Sequence, residues 1–225
     1  MIVQSVAVDG PSGAGKSTMA KRLAEALGFI YVDTGAIYRT LGLLALQRGV
    51  APDDAQAVIA LLGAADIDLR YHADGLQRMY LDGVDVSEEI RKPEISKYAS
   101  HVSAIPEVRT FLLNMQQSLA KTHNVIMDGR DIGTVVLPNA DVKIFLTASA
   151  EDRAHRRHAE LASKGNTDRY ETVLKDIIER DRKDTTRSAA PLRQAEDAIV
   201  VDTSGLSLQE SFDTLLETIR RKLGQ

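Results

Sequence analysis

The segment from Gly10 to Ser17 reads Gly10-Pro11-Ser12-Gly13-Ala14-Gly15-Lys16-Ser17 and fits GxxxxGK[ST] at every position. Its flanks restrict the fold as much as the motif does. Ile2–Val8 is a short β-rich run, which predicts a buried strand. From Lys16 to Leu27 the apolar residues Met19, Leu23 and Leu27 recur every four positions, and Gly28 follows as a stop, which predicts a helix. Strand, glycine loop and helix in this order are the context in which the motif works. Glycines let backbone N–H groups converge on phosphate oxygens, and the helix N-terminus adds the positive end of its dipole. Lys16 then reaches the β- and γ-phosphates, and the Ser17 hydroxyl ligates Mg²⁺. Thr18 completes the loop. These residues predict binding of a nucleoside triphosphate with magnesium.

The rest of the chain continues an α/β rhythm and interrupts it once. Phe29–Val32 reads as a second strand, and Ile37, Leu41 and Leu44 mark a helix that starts near Ala36 and ends near Gly49. Asp53–Ala65 continues helical. Ile67–Tyr71 and Gln77–Leu81 then read as strands joined through Ala73-Asp74-Gly75, with a second turn at Asp82-Gly83, an inserted antiparallel hairpin. Pro93 and Pro106 each suit the first position of a helix. Val125–Met127 ending at Asp128, Val142–Leu146 and Ala198–Val201 supply three more core strands, and a last helix carries Phe212, Leu215, Leu216 and Ile219. Five core strands alternating with helices predict a parallel sheet with helical crossovers.

Composition removes other chemistries. The 225 residues include no cysteine, which excludes disulfides, thiolate zinc sites, iron–sulfur clusters and a Cys nucleophile. A net charge of −4 argues against coating polymeric nucleic acid or an acidic membrane. No stretch approaches the ~20 apolar residues of a membrane span, and the N-terminus has no basic leader region, so a soluble, cytoplasmic protein is expected.

That average conceals a basic segment. Residues 151–193 hold 11 basic and 9 acidic side chains, which leaves −6 for the remainder. Most of these charges fit a solvated helix laced with ion pairs. Arg180, Asp184 and Arg187, spaced i, i+4, i+7, are expected on one helix face, and Arg153, Arg156 and Arg157 form a second group. Planar guanidinium forks suit the spread charge of a phosphoryl-transfer transition state, which favours a small-molecule kinase. A switch GTPase would carry an NKxD-like guanine-reading motif, and none is present. His155 and His158 are one turn apart but have no third ligand nearby, so a metal pair is not expected there.

With these residues in view, the chain resembles the bacterial cytidylate kinases over nearly its whole length. The resemblance rests on AVDGPSGAGKST at 7–18, DTGAIYR at 33–39, DGRDIGTVV at 128–136, KIFLTAS at 143–149 and ERDRKDTTRSAAPL at 179–192. It implies a phosphate-loop NTPase fold with a five-stranded parallel sheet, and Mg²⁺-dependent transfer of the ATP γ-phosphoryl group to CMP or dCMP. It implies one kinase domain with a core of 1–61, 124–150 and 191–225, an acceptor region with its insert over 35–123 (hairpin about 66–100), and a lid over 151–190. Thr34 and Arg39 are implied to hold the acceptor phosphate with Arg130, and Asp33 to orient the loop or cap the helix. Ser100, Arg109 and Asp131 match base-reading positions, where a carboxylate accepts from the cytosine amino group and meets an unfavourable carbonyl on uracil. Arg180, Asp184 and Arg187 are implied at the sugar and acceptor phosphate, and Arg153, Arg156 and Arg157 near the donor phosphates. Lys16, Arg130, Arg180 and Arg187 are then the catalytic set, in a protein the family suggests is a monomer. A shikimate- or gluconate-type kinase and a regulator without transfer activity stand as the alternatives, a UMP/CMP kinase as a nearer one.

Overall fold

The computed structural model describes residues 3–163 and 165–225. In chain order the elements are β1 (Ser5–Asp9), α1 (Lys16–Leu27), β2 (Ile30–Asp33), α2 (Thr34–Gln47), α3 (Ala55–Leu62), β3 (Ile67–Tyr71), β4 (Gln77–Leu81) and β5 (Val84–Asp85). They continue with α4 (Pro93–Val102), α5 (Pro106–Thr122), β6 (Val125–Gly129), β7 (Val142–Thr147), α6 (Ala150–Ser163), α7 (Tyr170–Thr186), β8 (Ile199–Asp202) and α8 (Leu208–Leu223). Ile2, expected in the first strand, lies outside the described residues.

Five strands form one parallel sheet in the order β2-β6-β1-β7-β8. The chain runs outward from central β1 to β2, returns through β6 and then crosses to β7 and β8. The carboxyl ends of the strands beside β1 therefore open a crevice at the point where the direction of winding reverses. Both faces of β1 are covered, which is why its sequence is apolar almost throughout. Val6 and Val8 join Met19 and Leu23 of α1 and Leu215 and Ile219 of α8 on one face. Ala7 packs on the other face with Val125 and Met127 of β6, and Leu113 and Leu119 of α5 lie against that layer. Side chains alternate along a strand, so successive residues enter opposite layers.

The expected hairpin is present and gains a third short strand. Asp82 (φ 50) and Gly83 (φ 78) are both left-handed, the geometry of a type I′ turn, which the Asp-Gly pair favours. It leads β4 directly into β5. A second apolar cluster joins this small sheet to α2, α4 and α5 through Leu41, Leu44, Met79, Leu81, Ile95 and Leu112. Helix α2 begins at Thr34, two residues before the expected start. Asp33 accepts a 2.9 Å hydrogen bond from the Ala36 N–H and so caps it. No helix among the described residues is long and apolar enough to cross a membrane.

The small sheet is fastened to the edge of the large one by side chains. The Tyr71 hydroxyl donates to the Tyr31 carbonyl at 2.9 Å. The Gln77 amide accepts from the Asp33 N–H at 2.8 Å and donates to the Asp33 carbonyl at 3.2 Å. One primary amide thus stands in for a neighbouring strand at the residue that also caps α2. Gln77→Ala leaves both peptide groups of Asp33 without that partner. It is expected to lower unfolding free energy by about 1–2 kcal/mol, measured by urea denaturation.

Candidate active site

The phosphate loop follows β1 without an intervening residue. Gly10 adopts φ 151, and a Cβ there would lie 1.9 Å from the Leu146 carbonyl oxygen. Gly15 (φ 84) precedes α1 and supplies no side-chain cap, and the first turn of that helix has no acidic residue. Its N–H groups therefore remain directed into the loop. Lys16 is buried and donates from Nζ to the Pro11 carbonyl at 2.7 Å. Burial, then the Arg130 guanidinium, push its ammonium well below the ordinary lysine range. Ser17 donates to Asp128 Oδ2 at 2.8 Å, and Tyr31 donates to the other oxygen, Oδ1, at 2.8 Å. Burial first, and the nearby Asp33 next, raise the Asp128 carboxyl. Asp128 is a site residue the motif reading missed. Its signal was positional, because an Asp closing a strand that pairs beside β1 faces the loop that β1 feeds.

Arg153 holds the loop from behind. Its Nη1 donates to the Ser12 carbonyl at 2.8 Å and to Asp181 Oδ2 at 2.6 Å, while Asp181 Oδ1 accepts from the Ser12 N–H at 3.2 Å. Arg156 points elsewhere, donating to the Thr203 carbonyl at 2.7 Å. Arg157 forms a solvent-facing pair with Glu160 at 2.8 Å. The expected group of three is therefore three different environments.

Beyond β6, Ile132–Val136 forms a wide turn of π-helical type, with Asp131 in the capping position before it. The buried Asp9, last residue of β1, accepts the N–H groups of Ile132 and Gly133, each at 2.7 Å. Burial raises the Asp9 carboxyl to about 6 despite these two donors. Asp131 turns the other way. It forms an ion pair with Arg109 and lies 3.5 Å from Arg187 Nη2. Arg109 also donates to the Ser103 carbonyl at 3.1 Å and stands over the Tyr38 ring.

Arg130 donates from Nε to Asp184 Oδ2 at 2.7 Å. Burial opposes charge on Asp184, but Arg130, followed by Arg180 and Arg187, holds its carboxyl below the ordinary range. Arg187 completes the last turn of the face that carries Arg180 and Asp184, its N–H donating to the Lys183 carbonyl at 3.1 Å. Helix α7 stops at Thr186, and Arg187 is its extended C-cap, turned back to donate to the Ala190 carbonyl at 2.6 Å. Arg39 pairs with Asp33 at 2.7 Å instead of standing in solvent, and the Thr34 hydroxyl donates to the Asp128 carbonyl at 2.7 Å. Among the described residues Arg180 has no ion-pair partner, and its buried Nε has no hydrogen-bond partner. Burial, then Arg130, lower its guanidinium to about 10. Ser100, Asp184 and Arg187 line a cavity of about 410 Å³ between α4 and the end of α7. His155 stacks on Tyr170 at a centroid distance of 4.4 Å, and His158 meets the same ring edge-on at 6.2 Å.

A phosphate loop at the carboxyl edge of this sheet, facing crowded guanidinium groups, defines a phosphate-loop kinase. The model of the cytidylate kinase family matches residues 6–221, and the chain belongs to that family. It is 54% identical over 213 residues to a cytidylate kinase of Caldicellulosiruptor bescii, covering 95% of this chain and 94% of that one. It is 48% identical over 218 residues to the cytidylate kinase of Bacillus subtilis, covering 97% of each. A gluconokinase from Sinorhizobium meliloti 1021 superposes with a TM-score of 0.50 at 16% identity, covering 97% of this chain and 92% of that one, and so shares the fold.

Two predictions concern the protein without ligands. The Asp9 carboxyl holds its proton more tightly folded (about 6) than unfolded (3.8). Between those values the unfolded chain has released a proton that the folded chain keeps, so raising pH favours unfolding. The stability Asp9 contributes is full below about pH 4 and is lost by about pH 6–7, up to roughly 3 kcal/mol. Subtracting the urea-unfolding profile of Asp9→Asn from that of the wild type should reveal this falling step. Arg180→Met removes a buried cation crowded by Arg130. It is expected to raise the ligand-free melting temperature by about 3 °C in a thermal scan while lowering turnover.

Proposed function

We propose that this chain transfers the γ-phosphoryl group of ATP to CMP or dCMP, giving ADP and CDP or dCDP. The observation that carries the reading is the convergence of Lys16, Arg130 and Arg180: Lys16 feels the positive charge of both guanidinium groups, and Arg180 feels that of Arg130. Cations gathered at such cost suit two polyanions brought together. Family membership supplies the choice of nucleotide.

On this reading ATP lies with its phosphates in Gly10–Ser17, where Lys16 and the loop N–H groups neutralise them. Ser17 and Asp128 would hold the accompanying Mg²⁺, since a hydroxyl and a carboxylate 2.8 Å apart are hard oxygen donors of the kind that ion takes. When bound, the ion supplies charge neutralisation on the β- and γ-phosphates. Arg153 acts through the loop by holding Ser12, while Arg156 and Arg157 border the donor side. CMP lies in the cavity beside Ser100, Asp184 and Arg187, its phosphate toward Arg39, Arg130, Arg180 and Thr34. Asp33 keeps Arg39 in place. Asp131, oriented by Arg109 and Arg187, accepts from the cytosine amino group.

An acceptor phosphate is already anionic near neutral pH, so no strong base is needed. Positioning the two phosphates in line and neutralising the transferring group carry the rate. Segment 151–190 acts as a lid over this centre and 35–123 as the acceptor region.

A coupled assay offering ATP with CMP, dCMP, UMP, AMP and shikimate separately tests the reading. CMP and dCMP are expected to be the preferred acceptors, and equal or greater turnover with shikimate overturns it. Asp131→Asn is expected to reduce the CMP-over-UMP ratio of kcat/KM about 10–100-fold, with the KM for ATP within about twofold.

A further inference from the structure

Asp131 occupies the capping position of the turn Ile132–Val136, yet its side chain caps nothing. An Asp there ordinarily accepts from the first N–H groups of the turn that follows. Within the turn, the N–H groups of Val135 and Val136 reach the Asp131 carbonyl at 2.9 and 3.2 Å, and that of Leu137 reaches the Ile132 carbonyl at 2.6 Å. These bonds leave the N–H groups of Ile132 and Gly133 to find an acceptor outside the turn. Both residues are buried, so water is a poor substitute. Asp9 takes both, from a position 123 and 124 residues away in sequence.

We propose that Asp9 is a positioning residue for base selection. It caps the turn in place of Asp131 and thereby leaves the Asp131 carboxylate free to face the acceptor. The reach is short because β1 and β6 are paired, with Asp9 opposite Gly129. The fit is closed as well. A Cβ on Gly133 would meet the Lys143 stem at 3.1 Å and Asp9 Oδ2 at 3.4 Å, so the turn cannot slide past the carboxylate. With both amides satisfied, Asp131 is left to Arg109 and Arg187. Without Asp9, Asp131 itself stands in the capping position from which a carboxylate ordinarily satisfies such amides. The loss would therefore be seen in acceptor choice and not in the phosphate loop, although Asp9 directly precedes Gly10. This rests on the cytidylate-kinase reading above.

The test compares wild type, Asp9→Asn, Asp131→Asn and the double variant with ATP and either CMP or UMP, well below their melting temperatures. In Asp9→Asn one acceptor oxygen becomes a donor facing a donor. Its CMP-over-UMP ratio of kcat/KM is expected to fall by about 10-fold, mainly through the KM for CMP, with the KM for ATP within about twofold. In the Asp131→Asn background the same change should add less than about twofold, because the group being freed is already gone. Asp9→Glu keeps both acceptor oxygens but shifts them by one methylene. It replaces Asp9→Asn in the series where the latter is too unstable to assay, and is expected to lose about threefold in the same ratio. Full selectivity in the assayed Asp9 variant, or equal losses toward ATP and CMP, overturns the positioning role. So does an undiminished loss in the double variant. A wild type that does not prefer CMP to UMP overturns the underlying substrate reading instead, and is recognised before any variant is compared.

Discussion

At Gly10 the backbone passes so close to the Leu146 carbonyl oxygen that no β-carbon can stand between them. This contact ties the start of the phosphate loop to the end of β7, and the geometry around it follows. Parallel pairing brings β6 and β7 to either side of β1, so the loop opens at the carboxyl edge of three strands at once. Asp128 reaches Ser17, Asp9 reaches the next turn, and Arg153 reaches under Ser12 because each stands near that edge. A larger residue at position 10 would displace the loop from all of them.

The charged groups of the cleft fall into two kinds. Some are paired with a carboxylate: Arg153 with Asp181, Arg109 with Asp131, Arg130 with Asp184 and Arg39 with Asp33. These pairs fix orientation, since a guanidinium held by a carboxylate on one side presents its remaining donors in a set direction. Among the described residues Lys16 and Arg180 have no carboxylate of their own in an ion pair, and their charges oppose one another and that of Arg130. Such an arrangement lowers the stability of the empty protein and favours whatever anion relieves it.

Much of this was legible in the amino-acid sequence wherever local pattern decides the structure. The loop and α1 were visible because glycine spacing and a four-residue apolar repeat are local. The small sheet was visible from an Asp-Gly turn flanked by β-branched and aromatic residues. Spacing placed Arg187 on the face of Arg180 and Asp184 but did not report that the chain turns extended right after it; Pro191, four residues on, was the weak signal available. The roles of Asp9, Asp128 and Gln77 were not legible. Each acts across 44 to 124 residues of sequence, and tertiary packing, not periodicity, brings its partner near. Family resemblance marked Asp131, but what leaves its carboxylate free lies in β1.

The side-chain fastening of the small sheet has a consequence for how these molecules coexist in solution. An edge strand with unpaired peptide groups invites a strand from another chain. On β2 the Tyr31 carbonyl and both peptide groups of Asp33 are already taken by Tyr71 and Gln77, so this edge offers less to an incoming strand. The opposite edge, β8, is only four residues long and ends on the solvent-exposed Asp202. One border of the sheet is thus plugged and the other kept short and charged, two different defences against sheet-to-sheet aggregation in one small enzyme.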